Sequence, residues 1–160
     1  MNEKILVNET LSLCYPDGFH VMTDQEKQKF NYFGGKTGEG LVDPERHIVI
    51  SLGHASAGAL SAVILNAKDL AKGMEKKIRK PMQAYGYECK GFSKRTIAGE
   101  KAVGFGYEYT AKDVAMYAES YVVKRGKIFF YLHFYGRQSA KDESLEIWDK
   151  ILDSAEWIQL

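Results

Sequence analysis

Four strand-like stretches follow one another almost without interruption in the second half of the chain. They span residues 84–97, 101–110, 114–123 and 128–135. Only short turn signals separate them, such as Ala98-Gly99-Glu100. A parallel neighbour needs a crossover of a dozen or more residues, so connections this short make successive strands antiparallel. The pattern therefore predicts an antiparallel meander, which restricts the chain to folds built around such a sheet.

The segment before the meander has the apolar spacing of an amphipathic helix. Asn66 can cap its start and Pro81 stands just past its end, so we predict a helix over residues 66–80. Its apolar positions recur every three or four residues, at Ala67, Leu70, Met74 and Ile78.

A second amphipathic helix is predicted after the meander. It begins near Ser139 or Asp142 and runs to residue 153. Its apolar stripe consists of Leu145, Trp148, Ile151, Leu152 and Ala155. Helices segregated before and after a sheet indicate an α+β fold. We therefore expect a single domain over residues 1–160, with a twisted antiparallel β-sheet of about five to seven strands flanked by helices.

Shorter strands are predicted nearer the start of the chain. Apolar and polar residues alternate over 11–15, Pro16-Asp17-Gly18 supplies a turn, and residues 19–22 resume the strand pattern. We interpret these segments as a short hairpin. A further strand is predicted over residues 48–52.

Composition and charge exclude several classes of protein. Lys and Arg number 22 against 21 Asp and Glu, for a net charge of +1, so a basic protein that coats nucleic acid is disfavoured and no nucleic-acid partner is expected. No apolar run is long enough for a secretory signal or a membrane span. We therefore expect a cytoplasmic protein. Cys14 and Cys89 lie far apart, which indicates two free, partly buried thiols and neither a zinc ribbon nor a redox dithiol.

The sequence motifs that could carry chemistry lack the context that the chemistry needs. Gly34-Gly35-Lys36-Thr37 resembles the end of a phosphate loop, but the first glycine of that motif would fall at Phe30, and Asp43-Pro44 intervenes before any helix. Gly104 and Gly106 stand in an aromatic-rich strand, where glycine permits close aromatic packing more often than dinucleotide binding. The histidines have no metal-ligand spacing, and no G-x-S-x-G elbow occurs. We expect no catalytic residue, metal or cofactor, and hence not an enzyme.

The hairpin of the last two meander strands carries the leading candidate binding surface. A three-residue loop, Lys124-Arg125-Gly126, with Gly126 left-handed would collect aliphatic side chains on one face and polar aromatic ones on the other. A two-residue loop would shift the register by one and mix the two sets, so we predict the three-residue loop. A tyrosine beside a charged side chain suits recognition at low entropic cost. If a helix covers this face, the same groups are satisfied internally, and the exposure of Tyr117 and Tyr131 distinguishes the two cases. The candidate binding residues are Tyr117, Glu119, Tyr121, Tyr131 and His133.

The outer face of the first helix is an alternative, basic surface. Residues 68–80 hold six basic and two acidic residues, whereas residues 139–160 hold six acids and two lysines, so the two helices carry opposite charge. Helix-surface lysines are often merely solvated; a functional set would meet an acidic protein or phosphate groups, and binding would weaken with salt. The basic surface consists of Lys72, Lys76, Lys77, Arg79 and Lys80.

The order of these elements resembles the PsbP-like family. The matching residues are Tyr15-Pro16-Asp17-Gly18-Phe19, Ile97-Ala98-Gly99-Glu100-Lys101-Ala102, and the Gly126 turn that leads into residues 128–132. The family includes an extrinsic subunit of photosystem II, a yeast factor that binds the Ran GTPase, and bacterial chaperones of secreted effectors. The resemblance implies an α/β/α sandwich over almost the whole chain, with no shared active site.

We therefore expect a non-catalytic protein-binding or adaptor module, whose partner is a protein of unknown identity or a second copy of the chain. The alternative is a small-ligand carrier with an aromatic pocket between sheet and helix. An exposed apolar patch would favour the first and a closed concave pocket the second.

Overall fold

The computed structural model describes residues 1, 3–30, 38–56, 58 and 65–159. Its strands are β1 (Glu3–Val7), β2 (Leu11–Tyr15), β3 (His20–Val21), β4 (Glu39–Asp43), β5 (Ile48–Ser56), β6 (Glu88–Ile97), β7 (Glu100–Ala111), β8 (Val114–Arg125), β9 (Ile128–Arg137) and β10 (Glu156–Trp157). Its helices are α1 (Asp24–Phe30), α2 (Ala67–Met82) and α3 (Lys141–Asp153). Short 3₁₀ turns follow α2 at Gln83–Tyr85 and precede α3 at Gln138–Ala140.

The main sheet has the order β3-β4-β5-β9-β8-β7-β6 over the described residues. Each neighbouring pair in it is antiparallel. The predicted meander is therefore confirmed as β6 to β9, and so is the α+β class. The predicted strand over residues 48–52 is the first half of β5, which pairs with β9 in the middle of the sheet.

A small sheet of order β1-β2-β10 lies apart from the main one. The predicted hairpin over residues 11–22 is wrong, because β2 pairs with β1 and β10, whereas β3 pairs with β4 in the main sheet. Asn8 and Glu9 both have positive φ, at 53° and 56°, which suits the tight turn that joins β1 to β2. The Pro16-Asp17-Gly18 segment thus carries the chain from one sheet to the other.

The helices cover opposite faces of the main sheet, as the sandwich prediction requires. Under α2, the buried side chains of Ala71, Met74 and Ile78 form one core with residues such as Phe105 and Val122. The opposite core joins α3 and the small sheet to the other face of the main sheet. Trp148 is fully buried there and stacks on Phe134 with ring centroids 5.7 Å apart.

The start of α2 confirms its predicted cap, since the Asn66 side chain accepts a hydrogen bond of 2.9 Å from the Asp69 amide. Its end lies slightly later than predicted, and Pro81 is inside the last turn instead of past it. Cys14 and Cys89 are free and partly buried, as expected. No helix in the described ranges is long and apolar enough to cross a membrane.

Candidate functional site

The turn between β8 and β9 decides which side chains of the candidate site share a face. The prediction of a three-residue loop is wrong, because Arg125 pairs with Ile128 and leaves Gly126-Lys127 as a two-residue turn. Gly126 is left-handed, at φ +62°, as expected. Glycine at the first position of a two-residue turn is a standard solution for hairpins. The observed register is offset by three residues from the predicted one, so every residue of β9 faces the opposite side.

The candidate residues are therefore divided between the two faces of the main sheet. Glu119 pairs with Phe134, and Ser120 pairs with His133. Tyr117, Glu119 and Tyr121 thus point to the α3 side, and Tyr131 and His133 point to the α2 side. The prediction assumed one aliphatic face and one polar face. Helices cover both faces, so both carry large apolar side chains and the contrast that guided the prediction is absent.

Glycines of β7 allow the two tyrosines on the α3 side to lie flat on the sheet. A Cβ on Gly104 would stand 2.4 Å from the Tyr121 ring and from the Ser120 carbonyl oxygen, and one on Gly106 would stand 2.6 Å from the Tyr117 hydroxyl. The expectation that these glycines serve aromatic packing is confirmed.

Cationic side chains close over the two rings from outside. Lys141 lies 4.2 Å from the centre of the Tyr117 ring, and Arg95 lies 5.7 Å from that of Tyr121. Arg95 also bridges to Asp149 and Asp153 on α3, at 2.8 and 2.9 Å. Both tyrosines are only 7% exposed as a result, which leaves their rings too little surface to contact a partner directly.

Glu119 is the member of the α3-side group that remains partly exposed. Its carboxylate accepts a 2.9 Å hydrogen bond from the Tyr117 hydroxyl. Burial raises the pKa of Glu119 above its ordinary value, while the Tyr117 hydrogen bond and the charges of Arg95 and Lys141 act in the opposite direction. The group is a compact polar layer between strand and helix.

His133, on the α2 side, is fully buried. It shares a 3.0 Å hydrogen bond with the Tyr107 hydroxyl, and its ring lies 4.4 Å from that of Tyr135. Tyr131 remains partly exposed. His133 is therefore part of the core on the α2 side and has no surface for a partner.

Burial lowers the pKa of His133 from 6.5 to about 3. Between these values the unfolded chain binds a proton at this position and the folded chain does not, so stability falls on acidification, by up to about 1.4 kcal/mol per pH unit. We expect the free energy of unfolding, measured by urea titration, to decline between about pH 6.5 and 5. The His133→Gln variant should lack this part of the slope. An unchanged slope in that variant would contradict the lowered pKa of His133 in the folded protein.

The basic surface divides into one structural residue and a set of exposed lysines. Arg79 donates through Nε to Glu75 at 2.9 Å and makes a second contact through Nη2. Glu75 is 3% exposed and also accepts a 2.8 Å hydrogen bond from the Tyr87 hydroxyl. Arg79 therefore differs from the other predicted members of the basic surface, because its half-exposed side chain is paired with Glu75, and Glu75 in turn joins α2 to Tyr87 just before β6. The Arg79 hydrogen bond is the main cause that lowers the pKa of Glu75.

The remaining lysines of α2 lie open to solvent, and Lys68 belongs with them. None of them lies within ion-pair distance of a carboxylate among the described residues. We call this set the lysine surface: Lys68, Lys72, Lys76, Lys77 and Lys80.

The opposite side of the sandwich exposes acids. They are Asp142, Glu143, Glu146, Asp149 and Asp153 of α3. The exposed faces of the two helices therefore differ in charge, with a surplus of lysines on α2 and of carboxylates on α3, although the net charge is close to zero.

Two surface cavities border the α3 side. One, of about 550 Å³, runs between the Ala98-Gly99 turn and β10, where Trp157 donates a 2.8 Å hydrogen bond to the Ala98 carbonyl. The other, of about 270 Å³, lies beside Arg46, Arg137 and Ser144. Neither is the aromatic pocket between sheet and helix that the ligand-carrier alternative predicts. The part of the chain that the structure describes contains no group of three or more metal-ligating side chains. The candidate phosphate loop at residues 34–37 lies outside that part.

Sequence reasoning did not identify Glu75 or Arg95 as organising residues. The Glu75/Arg79 pair has the four-residue spacing of a helical ion pair, which was a usable signal. Arg95 contacts Asp149 and Asp153 only through the tertiary fold, so no local sequence pattern predicts these ion pairs.

Solved structures share this architecture at low sequence identity. The solution structure of cyanobacterial PsbP (CyanoP) from Synechocystis sp. PCC 6803 matches with a TM-score of 0.72 at 12% identity, over 98% of this chain and 92% of that one. LpqN, involved in cell envelope biogenesis of Mycobacterium tuberculosis, matches with a TM-score of 0.67 at 14% identity, over 93% of this chain and 83% of that one. The Saccharomyces cerevisiae Ran-binding protein Mog1p matches with a TM-score of 0.62 at 8% identity, over 98% of this chain and 95% of that one. No protein-family model and no curated protein matches the sequence. The chain has the PsbP-like fold.

Proposed function

We propose that this chain is a non-catalytic protein-binding module that docks an acidic partner protein on its lysine surface. The observation that carries the proposal is the set of exposed lysines on α2 that lie beyond ion-pair distance of any described carboxylate. Among solved structures of this fold, Mog1p is a Ran-binding protein, which supports the use of the scaffold for protein recognition.

The spacing of the lysines is unfavourable for the helix itself. Lys68, Lys72, Lys76 and Lys80 follow one another at intervals of four residues, so each neighbouring pair brings like charges together. Such a pair destabilises a helix by about 0.2–0.5 kcal/mol. The arrangement offers the isolated protein no compensating ion pair in the described region, whereas a bound acidic surface would supply one for each lysine.

The opposite charge on the two sides favours a protein over a nucleic acid. The lysine stripe is short, about 18 Å from Lys68 to Lys80 at 1.5 Å per residue. Beyond it, the acids of α3 would repel a long polyanion that wraps around the domain. A folded partner with a local acidic patch meets only the lysine side.

The proposal does not use the binding surface that the sequence favoured, on the β8–β9 hairpin. Tyr117 and Tyr121 lie beneath Lys141 and Arg95, and His133 lies inside the core. We also do not propose the ligand carrier, since neither of the two cavities described above is a closed aromatic pocket.

Charge reversal on α2 tests the proposal with poly-L-glutamate as the probe of acidic polypeptide. We expect the Lys72→Glu/Lys76→Glu variant to bind the probe at least about tenfold more weakly by calorimetry at low salt, since two ion pairs become repulsions. Affinity of the unmodified chain should fall steeply as salt is raised.

The matched control is Lys4→Glu/Lys150→Glu, which changes the net charge equally but lies on β1 and α3. It should bind within about twofold of the unmodified chain. Equal weakening in both variants would mean that the probe senses only net charge. That outcome contradicts the proposal, as does tighter binding of a single-stranded oligonucleotide of the same charge.

A further inference from the structure

Gly73 lies on the exposed side of α2, in the middle of the helix. Glycine inside a helix is destabilising relative to alanine. A Cβ built on Gly73 meets no atom within 4 Å, and its φ is not left-handed. Nothing in the described structure therefore requires glycine at this position, in contrast to Gly104 and Gly106, whose missing Cβ atoms make room for tyrosine rings.

Lysines flank Gly73 on one side of the helix surface. Side chains three and four positions apart are neighbours on a helix, so Lys76 and Lys77 adjoin Gly73 towards the end of α2, and Lys80 lies one turn further along. Towards the start of α2 the neighbour is the exposed Asp69. The helix backbone is thus uncovered at one point, with ammonium groups on its C-terminal side.

A bare backbone flanked by cations suits a particular form of acidic partner. The distance between two packed helices, about 8–10 Å, depends on the side chains at the contact, and small residues allow the closer approach. A helix that crosses α2 at Gly73 could bring its carboxylates directly beside Lys76 and Lys77. A bulkier residue at position 73 would hold the helix away and lengthen these ion pairs.

We infer that Gly73 and the lysines around it form a docking cradle for an acidic α-helix of the partner protein. The inference rests on the proposed function, because it specifies the shape of the partner at the same lysine surface. The cradle also accounts for a helix that carries both an unnecessary glycine and unpaired like charges.

A helical probe tests the cradle separately from the charge. The probe is an alanine-rich peptide of about 20 residues with glutamate at every fourth position, held helical by a hydrocarbon staple. We expect the Gly73→Leu variant to bind it at least about tenfold more weakly, since the leucine side chain occupies the contact point. The Gly73→Ala variant should bind it a few-fold more weakly although its Tm rises, because alanine favours the helix.

Two comparisons make each result decisive. Ala115→Leu adds apolar bulk at an exposed position of β8 and should leave binding unchanged. Poly-L-glutamate, which is extended by self-repulsion, should bind the Gly73 variants and the unmodified chain about equally. If Gly73→Leu binds the stapled peptide within about twofold of the unmodified chain, the cradle is wrong, while loss of binding in Lys72→Glu/Lys76→Glu would still support the lysine surface. If neither variant loses affinity, the proposed function also fails.

Discussion

The Trp148→Ala variant is expected to lose about 3–5 kcal/mol of unfolding free energy, the range for removing a large aromatic from a core. Trp148 is fully buried and stacks on Phe134. It lies in the core that joins α3 and the small sheet to the main sheet, so the cavity would open where three elements meet. Urea titration followed by circular dichroism measures the loss.

The Trp148→Phe variant is the matched control. It keeps a ring against Phe134 and removes an indole N–H that has no hydrogen-bond partner in the described part of the chain. A buried donor without a partner is costly, so its removal should offset part of the lost packing. We expect a loss well below that of alanine. Equal losses in the two variants would mean that the ring does not fill the core as the structure places it.

The Arg79→Met variant is expected to be less stable than the unmodified chain at neutral pH, because it removes one partner of an ion pair whose carboxylate is buried. Methionine keeps the length of the side chain but leaves the Glu75 carboxylate, 3% exposed, without its cation. The matched control, Lys80→Met, alters an exposed neighbour in the same helix and should change stability by less than about 0.5 kcal/mol.

The pH dependence of this loss has a defined sign. In the unmodified chain Arg79 lowers the pKa of Glu75, so the ionised pair contributes stability above the ordinary carboxyl pKa and loses it on further acidification. Without Arg79, burial would raise the pKa of Glu75, and protonation would relieve the unpaired charge. The difference between variant and unmodified chain should therefore shrink from pH 7 towards pH 4. A difference that stays constant with pH would contradict the assignment of an ionised Glu75 paired with Arg79.

The elements that sequence predicted well are those with strong local signals. The α2 pattern repeats over four turns and has a capping asparagine, and tight turns such as Ala98-Gly99 leave the meander no topology except the antiparallel one. The elements that escaped prediction are short. β1, β4 and α1 contain only five to seven residues each. β1 is a strand because it pairs with β2, and this pairing cannot be predicted from the residues of β1 alone.

At the candidate site, the alternation of residue types along the strands did not predict which side chains share a face. The difference between a two-residue and a three-residue turn at Gly126 reverses the face of every residue in β9. Periodicity distinguishes the two turns only when one face is solvated, and here both faces of the sheet are covered. Tyr117 and His133 therefore lie in different cores, although the sequence places them in adjacent strands.

The lysine surface, in contrast, is visible in the sequence because it depends on helical spacing alone. Arg79, which the sequence prediction placed in the same basic surface, differs from the lysines in being paired with Glu75, four residues before it. That the other lysines form no ion pair within the described ranges could be established only from the fold.

Nuclear magnetic resonance mapping of poly-L-glutamate on the isotope-labelled chain tests the central claim most directly. We expect amide shifts on titration at low salt to concentrate in α2, from Lys68 to Lys80, and to disappear in the Lys72→Glu/Lys76→Glu variant. Shifts that concentrate instead around Tyr117, Glu119 and Tyr121, or along α3, would place the binding surface on the opposite side of the main sheet and contradict the account.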